Sequence, residues 1–261
     1  MSVPPSSSSG DDPRAHIAAQ VAASHAHRAI AHPYLEAMAS GTLPDPRWAL
    51  ADFARHYFAY SRHFPRYLTA VISRLEEPRH RGHLLQNLSE EAGMYSDAEL
   101  AELAALGVEP SWIVGVPHPL LFHRFRAAIG ADQALAAEAD QVTCWRELFF
   151  SVLAHGAPAE AVGALGLGTE GIVRRIYQPF VTALARFGDL PPRDTAFFTV
   201  HVAVDDHHES TLLEIAADFA ATEEGRIGLR RGMLKALSLR SAFWDWLHQR
   251  ALDPARAERV V

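Results

Sequence analysis

The chain has 261 residues, 49% of them hydrophobic and 21% charged, so it can bury a large core and lies outside the composition of disordered chains. With 24 Lys and Arg against 31 Asp and Glu, the net charge is −7, which leaves no basic footprint for nucleic acid or an anionic membrane surface. The single cysteine, Cys144, excludes an intrachain disulfide, a cysteine-rich zinc site and an iron–sulfur cluster held by this chain alone, so any bound metal falls to Asp, Glu and the 15 histidines.

The first residues, Met1 to Gly10, have neither a positive n-region nor an apolar h-region. We read residues 1–12 as a disordered tail ahead of one helical domain over 13–261. Asp12-Pro13 is a cap followed by Pro at the first helical position and opens a helix to about Ala31. His32-Pro33 breaks it, and a short helix follows to Ser40, closed by Gly41. Asp45-Pro46 repeats the opening signature. The segment from Arg47 to Leu75 then carries Leu50, Phe53, Tyr57, Tyr60 and Phe64 at helical spacing, with a kink expected at Pro65.

A further helix is expected from about Arg79 to Ala92, stopped by Gly93. Ser96 and Glu99 have capping-box spacing, and Gly107 ends that short helix. Residues 108–120, with Pro110, Pro117 and Pro119, read as a loop. Helical patterns resume over 120–129, 131–155, 158–187, 192–221 and 223–251. No period-two run flanked by turn chemistry occurs, and no stretch approaches the ~20 apolar residues of a membrane span. The sequence therefore predicts an all-α, single-domain helical bundle in the cytoplasm.

The sharpest chemical feature lies between Phe197 and Glu209. At about 100° per residue, Asp205 falls roughly 40° from His201, and His208 roughly 20° to the other side. His201, Asp205 and His208 thus share one stripe beside apolar Phe198, Val202 and Val204. Three ionisable groups on a buried stripe are costly unless compensated. A divalent metal compensates them; an internal hydrogen-bonded cluster is the other reading. Carboxylates from other helices must then converge. Glu90 and Glu91 end an apolar-faced helix, and Glu170 is a lone acid in a glycine-rich apolar stretch. The aromatic face of Phe53, Tyr57, Tyr60 and Phe64 and the cluster Phe243, Trp244, Trp246 and Leu247 read as packing surfaces.

The order of these segments resembles the heme-oxygenase-like di-iron oxidases, an iron-containing redox enzyme family. The likeness runs from His32-Pro33 through Gly41-Thr42-Leu43, Tyr57-Phe58-Ala59-Tyr60 and Asn87-Leu88-Ser89-Glu90-Glu91-Ala92-Gly93 to Glu170 and the His201-to-His208 stripe. The resemblance implies a heme-oxygenase-like fold. It also implies two irons held by Glu90, Glu170, His201, Asp205 and His208, and an O₂-dependent reaction on a small organic substrate. A homodimer is implied as well. The family places a histidine about seven residues after the first Glu, where this chain has Asp97. That departure leaves three readings. Asp97 substitutes as a ligand, one iron is held weakly or not at all, or Asp97 supports the start of the next helix. His83, His118 and His123 are nearby imidazoles that spacing does not separate. The same fold resemblance extends to thiaminase II-like and pyrroloquinoline-quinone-synthase-like proteins. A metal-free oxidase or small-molecule binding protein is therefore the alternative.

Overall fold

Asp and Pro set several of the helix starts. In the computed structural model, which describes residues 12–133, 138–203 and 205–257 (205–209 and 256 by backbone only), every regular element is helical. The tail predicted over 1–12 lies outside the described residues except for Asp12, whose side chain caps α1 (Pro13–His25). His32 caps α2 (Pro33–Ser40), which closes on Gly41 at φ +72°. Asp45 caps α3 (Pro46–Ser61) by accepting the Trp48 N–H.

Several expected helix bounds need correction, among them 158–187 and 192–221, which each divide into separate elements. The first helix stops at His25, not near Ala31: the Ala29 carbonyl is taken by the Trp244 indole N–H at 3.2 Å, outside any helix. Pro65 separates two helices instead of kinking one, because it sits in the first turn of α4 (Phe64–Ile72) and has no N–H to continue α3.

Next come α5 (Pro78–Glu91) and α6 (Asp97–Ala105), the latter with the predicted Ser96/Glu99 capping box formed in both directions. The proline-rich stretch read as a loop contains α7 (Pro110–Ile113) and the start of α8 (His118–Ala128). Pro110 and Pro119 occupy first-turn positions and Pro117 the cap before α8, where a missing N–H costs nothing. After α9 (Asp140–His155) and α10 (Pro158–Val162) the chain forms a π-helical turn over Gly163–Leu167 and a 3₁₀ turn over Glu170–Ile172. Then come α11 (Val173–Leu184), α12 (Pro192–Ala203), α13 (Asp205–Phe219), α14 (Glu223–Leu252) and α15 (Pro254–Ala257). No described helix is long and apolar enough to cross a membrane.

The thirty-residue α14 is the spine, and α2, α3, α9, α10 and the π turn pack along it. The glycines there exist for close approach. A Cβ on Gly163 would fall 2.1 Å from the Leu229 carbonyl oxygen, and one on Gly232 would fall 1.9 Å from that of Glu160. Backbone therefore meets backbone, and Glu170 emerges just past this contact, buried. On the other side α3 touches α8 and α9, and α12 lies between α8 and α11. Their shared core is aromatic: Phe53 stacks on Phe180 at 4.0 Å, and Phe125 meets Phe198 edge-on at 4.9 Å.

Candidate metal centre

The site begins with a glycine. Gly93 follows α5 at φ +84°, a conformation that L side chains rarely adopt, and a Cβ there would lie 2.5 Å from the Val116 nitrogen. Its carbonyl accepts the Gly115 N–H at 2.9 Å. This clamp ties the end of α5 to the segment feeding α8, and so brings Glu91 to His118. Gly93→Ala is expected to cost more than about 2 kcal/mol, from the left-handed backbone and the clash together. Urea denaturation checks this; an unchanged midpoint would show that the clamp carries no strain.

His118 is buried, with its Nδ1 3.0 Å from Glu91 Oε1 and its Nε2 2.7 Å from the Tyr95 hydroxyl. An ionised carboxylate only accepts, so Nδ1 carries the proton and donates to Glu91. Nε2 is then the lone-pair nitrogen, and the Tyr95 O–H donates to it. Burial, and then the negative charges of Glu91, Glu90 and Glu99, hold the Tyr95 phenol well above its ordinary pKa, so the donor stays protonated. His201 repeats the pattern. Its Nδ1 lies 2.7 Å from the Phe197 carbonyl oxygen one turn back, which can only accept. Its Nε2 is likewise the lone-pair nitrogen. The two rings meet edge-on with centroids 4.7 Å apart.

Glu91, His118 and His201 each offer one ligand atom, and these atoms lie within 4.8 Å of one another. Two imidazoles in the metal-binding tautomer, each with its other nitrogen engaged by an oxygen, beside a carboxylate, form a donor set that suits a divalent transition metal. The residues fit such an ion.

Glu90 and Glu170 are both buried and line the same cavity as this trio, so three of the six sequence-derived candidates, Glu90, Glu170 and His201, come together there. Asp97 does not line it. Asp97 is exposed at the first position of α6, where a negative charge meets the positive end of the helix. The side chains of Asp205 and His208 lie outside the described residues; their backbone falls in the first turn of α13, and Val204 is not described. Sequence reasoning kept Glu91 only as a substitute for Glu90 and left His118 unseparated from two other histidines. No local spacing signals either one, because their meeting depends on the Gly93–Val116 contact.

The walls are apolar and phenolic. Phe122 and Phe197 meet edge-on at 4.8 Å, and the Tyr57 and Tyr177 hydroxyls hydrogen-bond at 2.7 Å. Both tyrosines are buried, and burial raises the Tyr177 pKa far above its usual value. The cavity can therefore present phenol hydroxyls, carboxylates and imidazoles at one point.

Residues 51–241 match a family described as "Iron-containing redox enzyme". A 4-aminobenzoate synthase of Chlamydia trachomatis is 31% identical over 173 residues, covering 64% of this chain and 66% of that protein, just under two thirds of its length. A CADD-like protein of unknown function from Nostoc punctiforme has a similar structure, with a TM-score of 0.70 at 14% identity over 92% of this chain and 96% of the other. A TenA homolog from Pseudomonas syringae gives 0.69 at 14% identity over 95% and 98%. A domain with a heme oxygenase-like fold from Shewanella denitrificans gives 0.62 at 16% identity over 90% of each chain. The fold is thus heme-oxygenase-like.

Proposed function

Since the chain belongs to the iron-containing redox enzyme family, we propose that it is an iron- and O₂-dependent oxidase of a small organic substrate, with its iron site built around Glu91, His118 and His201. The observation that carries this reading is the trio itself, Glu91 and His118 buried and His201 half-buried, with both imidazoles in the tautomer that leaves Nε2 for a metal. Glu90 and Glu170, which line the same cavity, and Asp205 and His208, which follow His201 by four and seven residues but belong to the next helix, α13, are the ligands we assign to complete a two-iron set. Asp97 is the weakest member of the sequence-derived set, being exposed. The relative named for 4-aminobenzoate supports a biosynthetic reaction on a small molecule.

Iron bound here supplies the electrons and the Lewis acidity for O₂ chemistry. The protein's own residues do the rest. Glu91 holds the His118 proton on Nδ1, and the Phe197 carbonyl holds that of His201, so both rings face the site without rotating. The Tyr95 hydroxyl donates to His118 Nε2 and would have to give up that bond for the nitrogen to hold a metal. Phe122 and Phe197 keep bulk water out. The hydrogen-bonded hydroxyls of Tyr57 and Tyr177 present a donor toward whatever occupies the cavity.

Metal analysis after anaerobic reconstitution with Fe(II) and desalting tests the reading. We expect one to two irons retained per chain, and O₂ consumption that depends on them. A protein that retains no iron under these conditions would overturn it.

A further inference from the structure

Arg240 is the odd charge in this core. It sits on α14, 2% exposed, and lines the cavity that Glu91, His118 and His201 line. Its guanidinium carbon lies over three rings, 5.6 Å from the Tyr60 centroid, 5.2 Å from Trp145 and 6.0 Å from Trp244. Its Nε and Nη1 are buried with no hydrogen-bond partner among the described residues. Other buried or partly buried arginines are paired: Arg250 forks onto Asp52, and Arg126 donates to the Ala131 carbonyl.

A buried cation without an anion is costly. Ring faces offset part of that cost and the Tyr57 hydroxyl accepts one hydrogen bond, but Nε and Nη1 stay unused. Burial works against the charge, and the surrounding phenols of Tyr57 and Tyr60 more than offset it, so the group stays cationic. What fits is a planar anion entering from the cavity. A carboxylate matches the guanidinium in shape and charge.

We propose that Arg240 is the anchor for a carboxylate on the substrate, so that the cavity selects small organic acids. This rests on the cavity being the substrate pocket of the oxidase proposed above. The acid's charge pairs with Arg240 on α14, while the rest of the molecule extends toward the carboxylate and imidazole cluster. The cavity's own carboxylates, Glu90, Glu91 and Glu170, repel a second acid group.

The test is a thermal-denaturation titration of the full-length, metal-free protein at constant ionic strength. The probes are acetate and benzoate, each compared with its neutral amide. We expect at least one acid to bind about tenfold or more tightly than its amide. Arg240→Gln abolishes that preference, and Arg240→Lys keeps part of it. Acids that bind no better than amides, or an acid affinity unchanged in Arg240→Gln, would overturn the proposal. If Arg240→Gln does not melt cooperatively, the wild-type comparison and Arg240→Lys decide. Fe(II) binding is measured on the same preparations. Iron binding without an acid preference overturns this inference alone, and an acid preference without iron binding overturns only the metal reading.

Discussion

His201→Ala and His118→Ala each lose tight Fe(II) binding, and Asp97→Ala keeps the wild-type iron content: this is the result we expect from anaerobic titration followed by metal analysis. Each histidine presents a lone pair on Nε2 because an oxygen acceptor fixes the proton on Nδ1. Removing either ring leaves Glu91 with half its imidazole partners. A lost ligand should weaken binding by more than the roughly 10–100-fold typical of losing an outer-shell partner. Glu91→Gln tests the carboxylate ligand separately. It keeps the side chain's shape but loses the charge that holds the His118 proton. Asp97 is exposed in the first turn of α6, so its removal costs at most a few tenths of a kcal/mol in helix stability. Iron lost in Asp97→Ala to the same extent as in His201→Ala would restore Asp97 to the ligand set.

The helix starts were legible because their chemistry is local. Asp12, Asp45 and Ser96 each accept an N–H two or three residues on, and the sequence alone places them. Gly41, Gly93 and Gly107 stop helices in the left-handed region, as their positions suggested. What sequence could not locate is set by distant parts of the chain. Just past the end of α1, the Ala29 carbonyl accepts from the Trp244 indole, more than two hundred residues away. The π turn at Gly163–Leu167 sits where Gly163 packs on the Leu229 backbone. The site divides the same way. Segment order and helical spacing single out Glu90, Glu170 and His201, which line one cavity. His118 and Arg240 owe their places to the Gly93 clamp and to the α14 packing, and neither leaves a pattern along the chain.

Arg250→Ala is expected to destabilise the protein by about 3–5 kcal/mol, the usual cost of leaving one member of a buried ion pair alone. For a chain of this length that lowers the melting temperature by on the order of 10 °C. Asp52 is 2% exposed on α3 and receives both Arg250 Nε and Nη2 at 2.8 Å. Its other charged neighbours are weaker partners: His56 Nε2 at 3.4 Å and Arg55 Nη1 at 3.9 Å. Burial pushes the Asp52 carboxyl pKa up, but the forked Arg250 and then His56 pull it down further, so in the folded protein it lies below its ordinary value. A folded pKa below the unfolded one stabilises above the unfolded value of about 4. That stabilisation is lost as pH falls through the folded pKa. Without Arg250 the burial effect gains weight, and protonating Asp52 relieves the folded state instead of weakening it. The gap between wild type and Arg250→Ala should therefore be widest near neutral pH and shrink toward pH 4. Melting curves at both pH values measure it. A gap equal at both would mean that Arg250 contributes through its packing on Trp246, 4.8 Å from its guanidinium carbon, and not through the charge it shares with Asp52.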